Sequence, residues 1–219
     1  MKKRIQIVPA ILTKTKEDLV DTLKMLEPYV ERAQIDIIDG LFANNRTNDD
    51  LSRIKTKLKL EVHLMVVDPL RYIEKYKNVA WMITLHYESF EEEEDLLKAI
   101  SLVKKYKMKV GLAVGPLTSI YRIQDFVKKV DQILIMSVRP GFGGQNFIDT
   151  TFGRVSTIRA LNPNIDVEVD GGVRLSLVKD IIASGANIIV AGKAITHHYD
   201  VELAINNFKS EVKKALVEL

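Results

Sequence analysis

The chain has 219 residues, of which 47% are hydrophobic, and 32 lysines and arginines against 29 aspartates and glutamates give a formal net charge of +3. This length can bury a full core in one domain, and so balanced a charge argues against a nucleic-acid partner. The absence of cysteine excludes disulfides and thiolate metal sites and is typical of a reducing compartment. No apolar run reaches the length of a membrane span, and the basic start leads into too short an apolar stretch for a signal peptide. The sequence therefore predicts a cytoplasmic protein with no membrane partner.

Segments typical of strands alternate with segments typical of helices along the whole chain. Strands are predicted over residues 5–12, 33–38, 60–66, 81–86, 108–114, 132–138, 166–170 and 187–191. Helices are predicted over residues 16–30, 49–58, 91–106, 119–130, 149–160, 175–184 and 201–219, with one more opening at Asp68 and Pro69. Thr15 and Asp200 are the expected N-caps of the first and last helices.

Eight alternating units in this length predict one α/β domain, a (β/α)8 TIM barrel that spans residues 1–219. The competing architecture is an open doubly wound sheet, but no Gly-x-Gly-x-x-Gly motif follows the first strand. In a barrel of this kind, functional groups come from the C-terminal ends of the strands and from the loops that follow them.

Three glycine-containing turns follow predicted strands in the C-terminal half. The first is Gly141, Phe142, Gly143 and Gly144, the second is Gly171 and Gly172, and the third is Gly192 and Lys193. Glycine lets backbone N–H groups approach an anion without a Cβ in the way, and a concave set of such groups binds phosphate. One glycine cluster alone is equally well a flexible turn, but three that converge indicate a phosphorylated small molecule.

Alternation along the strands separates polar side chains from apolar ones. The apolar residues suit the side that packs on the helices, which leaves Gln34, Asp36, His63 and Asp170 facing the barrel interior near its top. Buried carboxylates need a partner, a metal or a proton. A satisfied salt-bridge network is the alternative interpretation.

Three further histidines have interpretations that involve no metal. His86 ends the fourth strand, where contact with substrate and a core position are equally plausible. His197 and His198 are interpreted as loop surface.

Six segments together carry a resemblance to a known family. They are PAIL at 9–12, IDIIDG at 35–40, EVHLMV at 61–66, ITLH at 83–86, MSVRPGFGGQNF at 136–147 and VEVDGGV at 167–173. In residues, order and spacing, the chain resembles the ribulose-phosphate 3-epimerase family, whose members are barrels that invert C3 of a ketopentose 5-phosphate.

The resemblance implies a role for each candidate residue. Asp36 and Asp170 would be the proton-transfer pair and also metal ligands, with His63 a third ligand and Gln34 at the fourth ligand position. Met65 and Met136 would pack against the reacting carbons, and the phosphate would lie on the three glycine turns. His63 would also contact substrate, and the members' common self-association implies a homo-oligomer.

Several positions depart from the family pattern. Gln34 stands where the family has a ligand histidine, Ala10 replaces a serine, Ile38 a methionine, Gly115 an asparagine and Lys193 a serine. An amide oxygen is a harder and weaker ligand than imidazole, so among Zn²⁺, Mn²⁺, Fe²⁺ and Mg²⁺ it suits Mn²⁺ or Mg²⁺ better than Zn²⁺.

The predicted function is metal-assisted 3-epimerisation of a ketose phosphate, D-ribulose 5-phosphate to D-xylulose 5-phosphate, through an enediolate. One alternative is a lyase or decarboxylase of the related phosphate-binding barrels, but the Asp-x-Lys-x-x-Asp motif of those enzymes is replaced here by EVHLMV at 61–66. The other alternative is a non-catalytic phosphosugar-binding barrel, which Gln34 and Ala10 would suit.

Overall fold

Eight short, apolar-rich strands pair in parallel in the order of the sequence, and the last pairs with the first to close a barrel. This is seen in a computed structural model that describes residues 3–219. The strands are β1 (Gln6–Ile11), β2 (Arg32–Ile38), β3 (Lys59–Met65), β4 (Met82–His86), β5 (Lys109–Val114), β6 (Gln132–Met136), β7 (Asp166–Asp170) and β8 (Ile188–Ala191). The closed parallel barrel confirms the fold predicted from the sequence.

Seven α-helices connect or follow the strands within the described residues. They are α1 (Lys16–Leu26), α2 (Pro69–Tyr76), α3 (Glu93–Lys105), α4 (Thr150–Leu161), α5 (Val178–Ala183), α6 (Lys193–Thr196) and α7 (Val201–Glu218). The predicted caps are confirmed, because the side chains of Thr15 and Asp200 accept N–H bonds from the first turns of α1 and α7. Asp68 caps α2 in the same way. The first helix ends before Pro28 rather than at residue 30, because proline has no N–H group to continue the helical hydrogen bonds.

The helix predicted over residues 49–58 is wrong, because that segment is irregular in the structure. Its polar side chains bond to nearby backbone instead: Asn48 Oδ1 accepts from the N–H of Asp50, and Asp50 Oδ1 accepts from the N–H of Ser52. Arg53 then adopts a positive φ of 60°. Short polar side chains that cap their own backbone in this way compete with helix formation.

The helix predicted over residues 119–130 is also wrong. Only Ile120–Ile123 is helical, as a 3₁₀ turn, and the rest is a series of turns. Its backbone bonds run from residue i to i+3, for example from the Phe126 N–H to the Ile123 carbonyl at 2.9 Å. The predicted helix 175–184 divides into a 3₁₀ turn, Leu175–Leu177, and α5. The short helix α6 was not predicted.

The main hydrophobic core lies between the barrel and its helices. It contains the strand residues of one parity, among them Ile35 and Ile37 of β2, Val62 of β3 and Val167 of β7. The other parity faces the barrel interior, where small apolar groups such as Val8, Ala10, Ile188 and Val190 fill one side. The alternation predicted from the sequence is therefore confirmed for these strands.

A layer of buried polar side chains fills the lower part of the barrel interior. Arg32 forms an ion pair with Glu61 and donates to Gln132 Oε1 at 2.8 Å, and its Nη2 lies 3.5 Å from Glu168. Thr84 donates to Glu61 at 2.5 Å, and Gln132 bonds to both glutamates. Burial, and then the charge of Glu61, raises the pKa of Glu168 well above its ordinary value. This layer is a buried ion-pair network of the kind that was weighed as an alternative for the site itself, although Arg32 Nε and Glu168 Oε1 have no hydrogen-bond partner among the described residues.

Candidate active site

Two carboxylates converge on one amide group directly above the polar layer. The Nε2 group of Gln34 donates to Asp36 Oδ1 and to Asp170 Oδ2, both at 2.8 Å. Asp36 lies on β2 beside His63 of β3, and its Oδ1 is 3.1 Å from His63 Nδ1. All four side chains are buried. The structure therefore brings together the four inward-facing residues predicted from strand alternation.

The charges at this centre influence one another strongly. Burial, and then the nearby charge of Asp36, raises the pKa of Asp170 to about 6. Burial opposes the charged form of His63, but the hydrogen bond and charge of Asp36 outweigh it and raise the pKa of the imidazole. A carboxylate whose pKa moves toward neutrality is suited to exchange protons with a substrate.

A second histidine and a glutamate extend this centre on the side of β4. His63 Nε2 lies 2.9 Å from His86 Nε2, and His86 Nδ1 lies 2.9 Å from Glu88 Oε2. The other oxygen of Glu88 accepts from the Gly115 N–H at 2.7 Å and from the Thr118 hydroxyl at 2.5 Å. Burial opposes ionisation of Glu88, but its hydrogen bonds and the neighbouring His86 lower its pKa to about 2. Sequence reasoning missed Glu88, although a His-x-Glu sequence at the end of an inward-facing strand would have been a usable signal.

A cavity of about 200 Å³ opens above the two carboxylates at the C-terminal ends of the strands. Its lining includes all the predicted glycine-turn residues, Gly141, Phe142, Gly143, Gly144, Gly171, Gly172, Gly192 and Lys193. Met65, Met136, Asp36 and Asp170 also line it, whereas Gln34 and His63 are not among the lining residues. The three turns therefore do meet around one cavity, with the carboxylates on its wall.

The glycine turns have the backbone geometry that an anion site needs. Gly144 and Gly172 have positive φ values of 86° and 59°, and a Cβ on Gly172 would come within 2.5 Å of the Gln145 carbonyl oxygen. Lys193 extends beside Gly143 and Gly144, with Nζ 3.5 Å from the place a Gly144 Cβ would occupy. An ammonium group and glycine backbone on the same side of a cavity favour a phosphate there.

Two further residues with basic side chains line this cavity. Arg139 and His197 are among its lining residues. His197 is exposed in a turn, which confirms its interpretation as loop surface, and it also belongs to the cavity lining. It directly follows α6, whose short turn brings it back toward the cavity, and this turn was not predicted. His198 is half-buried and lies outside the cavity lining.

The four-residue centre fits a divalent metal. Asp36, His63 and Asp170 each offer a ligand atom within 4.8 Å of the other two. Gln34 Oε1 is buried and has no hydrogen-bond partner among the described residues. If the Gln34 amide turned over, this oxygen would replace the N–H group between the two carboxylates, giving three oxygens and one imidazole nitrogen. Such a donor set suits a hard or borderline divalent cation.

A closed parallel barrel with its polar groups gathered at the C-terminal ends of the strands is the architecture of (β/α)8-barrel enzymes. The model of the "Ribulose-phosphate 3 epimerase family" matches residues 6–196. The chain belongs to the ribulose-phosphate 3-epimerase family.

Named relatives match over nearly the whole length of the chain. It is 33% identical to the ribulose-phosphate 3-epimerase of Schizosaccharomyces pombe, covering 96% of this chain and 95% of the relative. It is 32% identical to the enzyme of the same name from Escherichia coli, covering 97% and 98%. Among solved structures, the 3-hexulose-6-phosphate synthase from Salmonella typhimurium superimposes with a TM-score of 0.73 at 13% identity, covering 96% and 100%. That last similarity shows the shared fold.

The helices of residues 3–219 are either too short or too polar to cross a membrane. No helix there combines the length and the apolar character that such a crossing would require.

Proposed function

We propose that this chain is an isomerase that interconverts D-ribulose 5-phosphate and D-xylulose 5-phosphate by inverting C3, and that Asp36 and Asp170 move the proton. The observation that carries the proposal is the meeting of these two carboxylates on the Gln34 amide, on the wall of a cavity rimmed by glycine turns. Family membership and the names of its relatives support the same reaction.

The cavity can hold a sugar phosphate in one orientation. The phosphate would lie against Gly143, Gly144 and Lys193, which places the sugar carbons toward the carboxylates. Met65 and Met136 line the cavity with apolar surface. Such walls exclude water from a carbanion-like intermediate, while the polar groups set the orientation.

The reaction needs one proton donor or acceptor on each face of a planar intermediate. Removal of the C3 proton, which is alpha to the C2 ketone, gives an enediolate, and return of a proton on the opposite face inverts the carbon. Asp36 and Asp170 come from β2 and β7 and approach the Gln34 amide separately. One would take the proton as a base while the other, as the acid, donates one.

A divalent cation held by Asp36, His63, Asp170 and the Gln34 oxygen would supply the positive charge that stabilises the enediolate oxygens. The hard amide oxygen favours Mn²⁺ or Mg²⁺ over Zn²⁺ in this proposal. Self-association and a cytoplasmic location stay predictions.

The direct test is turnover of D-ribulose 5-phosphate by the purified protein, stripped with chelator and then supplied separately with Mn²⁺, Mg²⁺, Fe²⁺ or Zn²⁺. Formation of D-xylulose 5-phosphate, followed by NMR, is the expected result. The same spectra in deuterated water report exchange at C3. Binding of the sugar phosphate with neither inversion nor exchange would contradict the proposal and favour a non-catalytic binder.

Replacing Gly144 with alanine should weaken binding of the phosphosugar. The positive φ of Gly144 disfavours a side chain, and a Cβ there would meet the end of Lys193 at 3.5 Å. Each anion contact of this kind is worth ~0.3–2 kcal/mol, so the dissociation constant should rise by up to about thirtyfold. Isothermal titration with ribulose 5-phosphate measures the change, at a temperature where the variant is folded, because a side chain at this φ also strains the backbone.

Gly153→Ala is the matched control for this substitution. Gly153 lies within α4, and a Cβ there would meet no atom within 4 Å. The control should bind phosphosugar like the wild type, and helix propensity should make it about 0.5–1 kcal/mol more stable. Equal affinity in Gly144→Ala and the wild type would remove the first glycine turn from the phosphate site.

Replacing Gln34 with histidine should raise the affinity for Zn²⁺. The substitution restores an imidazole to the position between the two carboxylates, and Zn²⁺ prefers imidazole nitrogen to an amide oxygen. Competition with a chelating dye measures the Zn²⁺ dissociation constant for both proteins. A protein whose metal content and turnover respond neither to chelator nor to this substitution would exclude metal from the mechanism.

A further inference from the structure

The side chains of Glu88 and His86 continue the metal centre away from the cavity. Together with His63 they form an unbroken row of polar contacts, from Glu88 Oε2 to His86 Nδ1 and from His86 Nε2 to His63 Nε2, each 2.9 Å long. Both histidines are fully buried, and their ring planes are inclined to each other by 23°. Phe42 packs against His86, with 4.9 Å between ring centroids. The proposed proton transfer itself makes no use of His86 or Glu88.

The direction of each hydrogen bond in this row is set at its Glu88 end. A carboxylate can only accept, so His86 must donate from Nδ1 to Glu88. A neutral His86 with its proton on Nδ1 presents a lone pair on Nε2. The contact between the two Nε2 atoms holds one proton, which must then belong to His63.

The proton on His63 Nε2, donated to His86, leaves Nδ1 as the nitrogen of His63 that can bind a metal. Asp36, like Glu88, can only accept, so without a cation Nδ1 donates to Asp36, and a bound cation would take the place of that proton. Nδ1 is also the atom that faces the proposed metal position, 3.1 Å from Asp36 Oδ1 and 3.4 Å from Gln34 Nε2. Partners that fix a ligand histidine in one tautomer commonly raise its affinity for metal.

We propose that Glu88, acting through His86, holds His63 in the tautomer whose Nδ1 binds the divalent cation. His86 and Glu88 are thus positioning residues, and neither touches the substrate. The inference rests on the proposed metal-assisted function and adds to it the groups that prepare one metal ligand.

The hydrogen bond from Gly115 fixes the orientation of a glutamine at position 88, so Glu88→Gln tests the direction of the hydrogen bonds in this row. The Gly115 N–H can only donate, and it bonds to Glu88 Oε1 at 2.7 Å. A glutamine at position 88 must therefore place its amide oxygen there, and its NH₂ group falls where Oε2 faced His86. That NH₂ group donates to His86 Nδ1, which moves the His86 proton to Nε2 and the His63 proton to Nδ1. The substitution keeps the shape of the side chain and reverses every hydrogen bond in the row.

The experiment compares the wild type, Glu88→Gln and Glu91→Gln, a control that makes the same change at an exposed position. Calorimetric titration of the full chain with Mn²⁺ should show affinity reduced ~10–100-fold in Glu88→Gln and unchanged in the control. Proton–nitrogen NMR of the imidazoles should show the His86 proton on Nδ1 in the wild type and on Nε2 in Glu88→Gln. Thermal midpoints show that each protein is folded at the temperature of the titration.

Equal Mn²⁺ affinity in Glu88→Gln and the wild type would overturn the inference, and so would a wild-type His86 that carries its proton on Nε2. A wild type that does not bind Mn²⁺ would overturn it as well. Turnover of ribulose 5-phosphate, measured in parallel, separates this inference from the proposed function. A wild type that epimerises while Glu88→Gln keeps its metal affinity contradicts only the role of Glu88.

Discussion

Asp170→Asn is expected to abolish epimerisation while leaving slow, one-sided exchange of the substrate's C3 proton with deuterated water. Asp170 and Asp36 approach the centre from β7 and β2 and would serve opposite faces of a planar enediolate, so neither can replace the other. Each proton transfer contributes ~10²–10⁴-fold to the rate, and an amide cannot carry it out. NMR detection of deuterium at C3, together with quantification of both epimers, measures the two processes separately.

The reciprocal variant and a control complete this test. Asp36→Asn should show the same behaviour with the opposite epimer as substrate, although loss of a metal ligand lowers both rates, so excess metal is supplied. Asp166→Asn changes an aspartate at the other end of β7, where it pairs with Lys3 at the barrel's lower rim, and should retain full turnover. Inversion by Asp170→Asn at the wild-type rate would exclude Asp170 as the second acid or base.

Arg32→Met should destabilise the fold more than any surface substitution. Arg32 is the cation of the lower polar layer, where it pairs with Glu61 and bonds to Gln132. Methionine has a similar length but leaves Glu61 without a positive partner in the barrel interior. Removing one member of a buried ion pair costs about 3–5 kcal/mol. Chemical denaturation monitored by circular dichroism measures the change in the free energy of unfolding.

Arg4→Met is the matched control. The side chain of Arg4 is 81% exposed and stands 3.7 Å from an equally exposed Glu31. Exposed pairs of this kind contribute about 0–1 kcal/mol, so this variant should unfold almost like the wild type. Similar losses in the two variants would mean that the buried arginine is not needed to balance the glutamates.

The barrel and its inward-facing residues were predictable because strand alternation is a local and rigid property. Once β2, β3 and β7 are recognised, the two-residue period alone places Asp36, His63 and Asp170 on one side of the wall. The glycine turns were predictable for a similar reason, since strand ends in a closed parallel barrel meet at one rim.

The misses concern segments whose structure depends on distant partners or on competing local bonds. The segment around Asp50 loses its predicted helix to bonds between its own polar side chains and backbone. Glu88 owes its position to Gly115 and Thr118 on a later loop, so its hydrogen bonds cannot be read from spacing. The helix α6, which precedes the exposed His197 at the cavity, has only four residues and is too short to give a periodic signal.

The lower polar layer also affects the route by which solvent protons reach the reacting carbon. Glu61, Gln132 and Glu168 are wholly buried and Arg32 nearly so, which fills the lower end of the barrel interior with side chains. Bulk protons and isotopic label would then enter and leave mainly through the mouth, past the glycine turns. While a bound sugar blocks that mouth, a proton taken by one carboxylate is trapped with the intermediate. The amount of deuterium found in substrate and product would then report the rate at which the mouth opens relative to the rate of the chemical step.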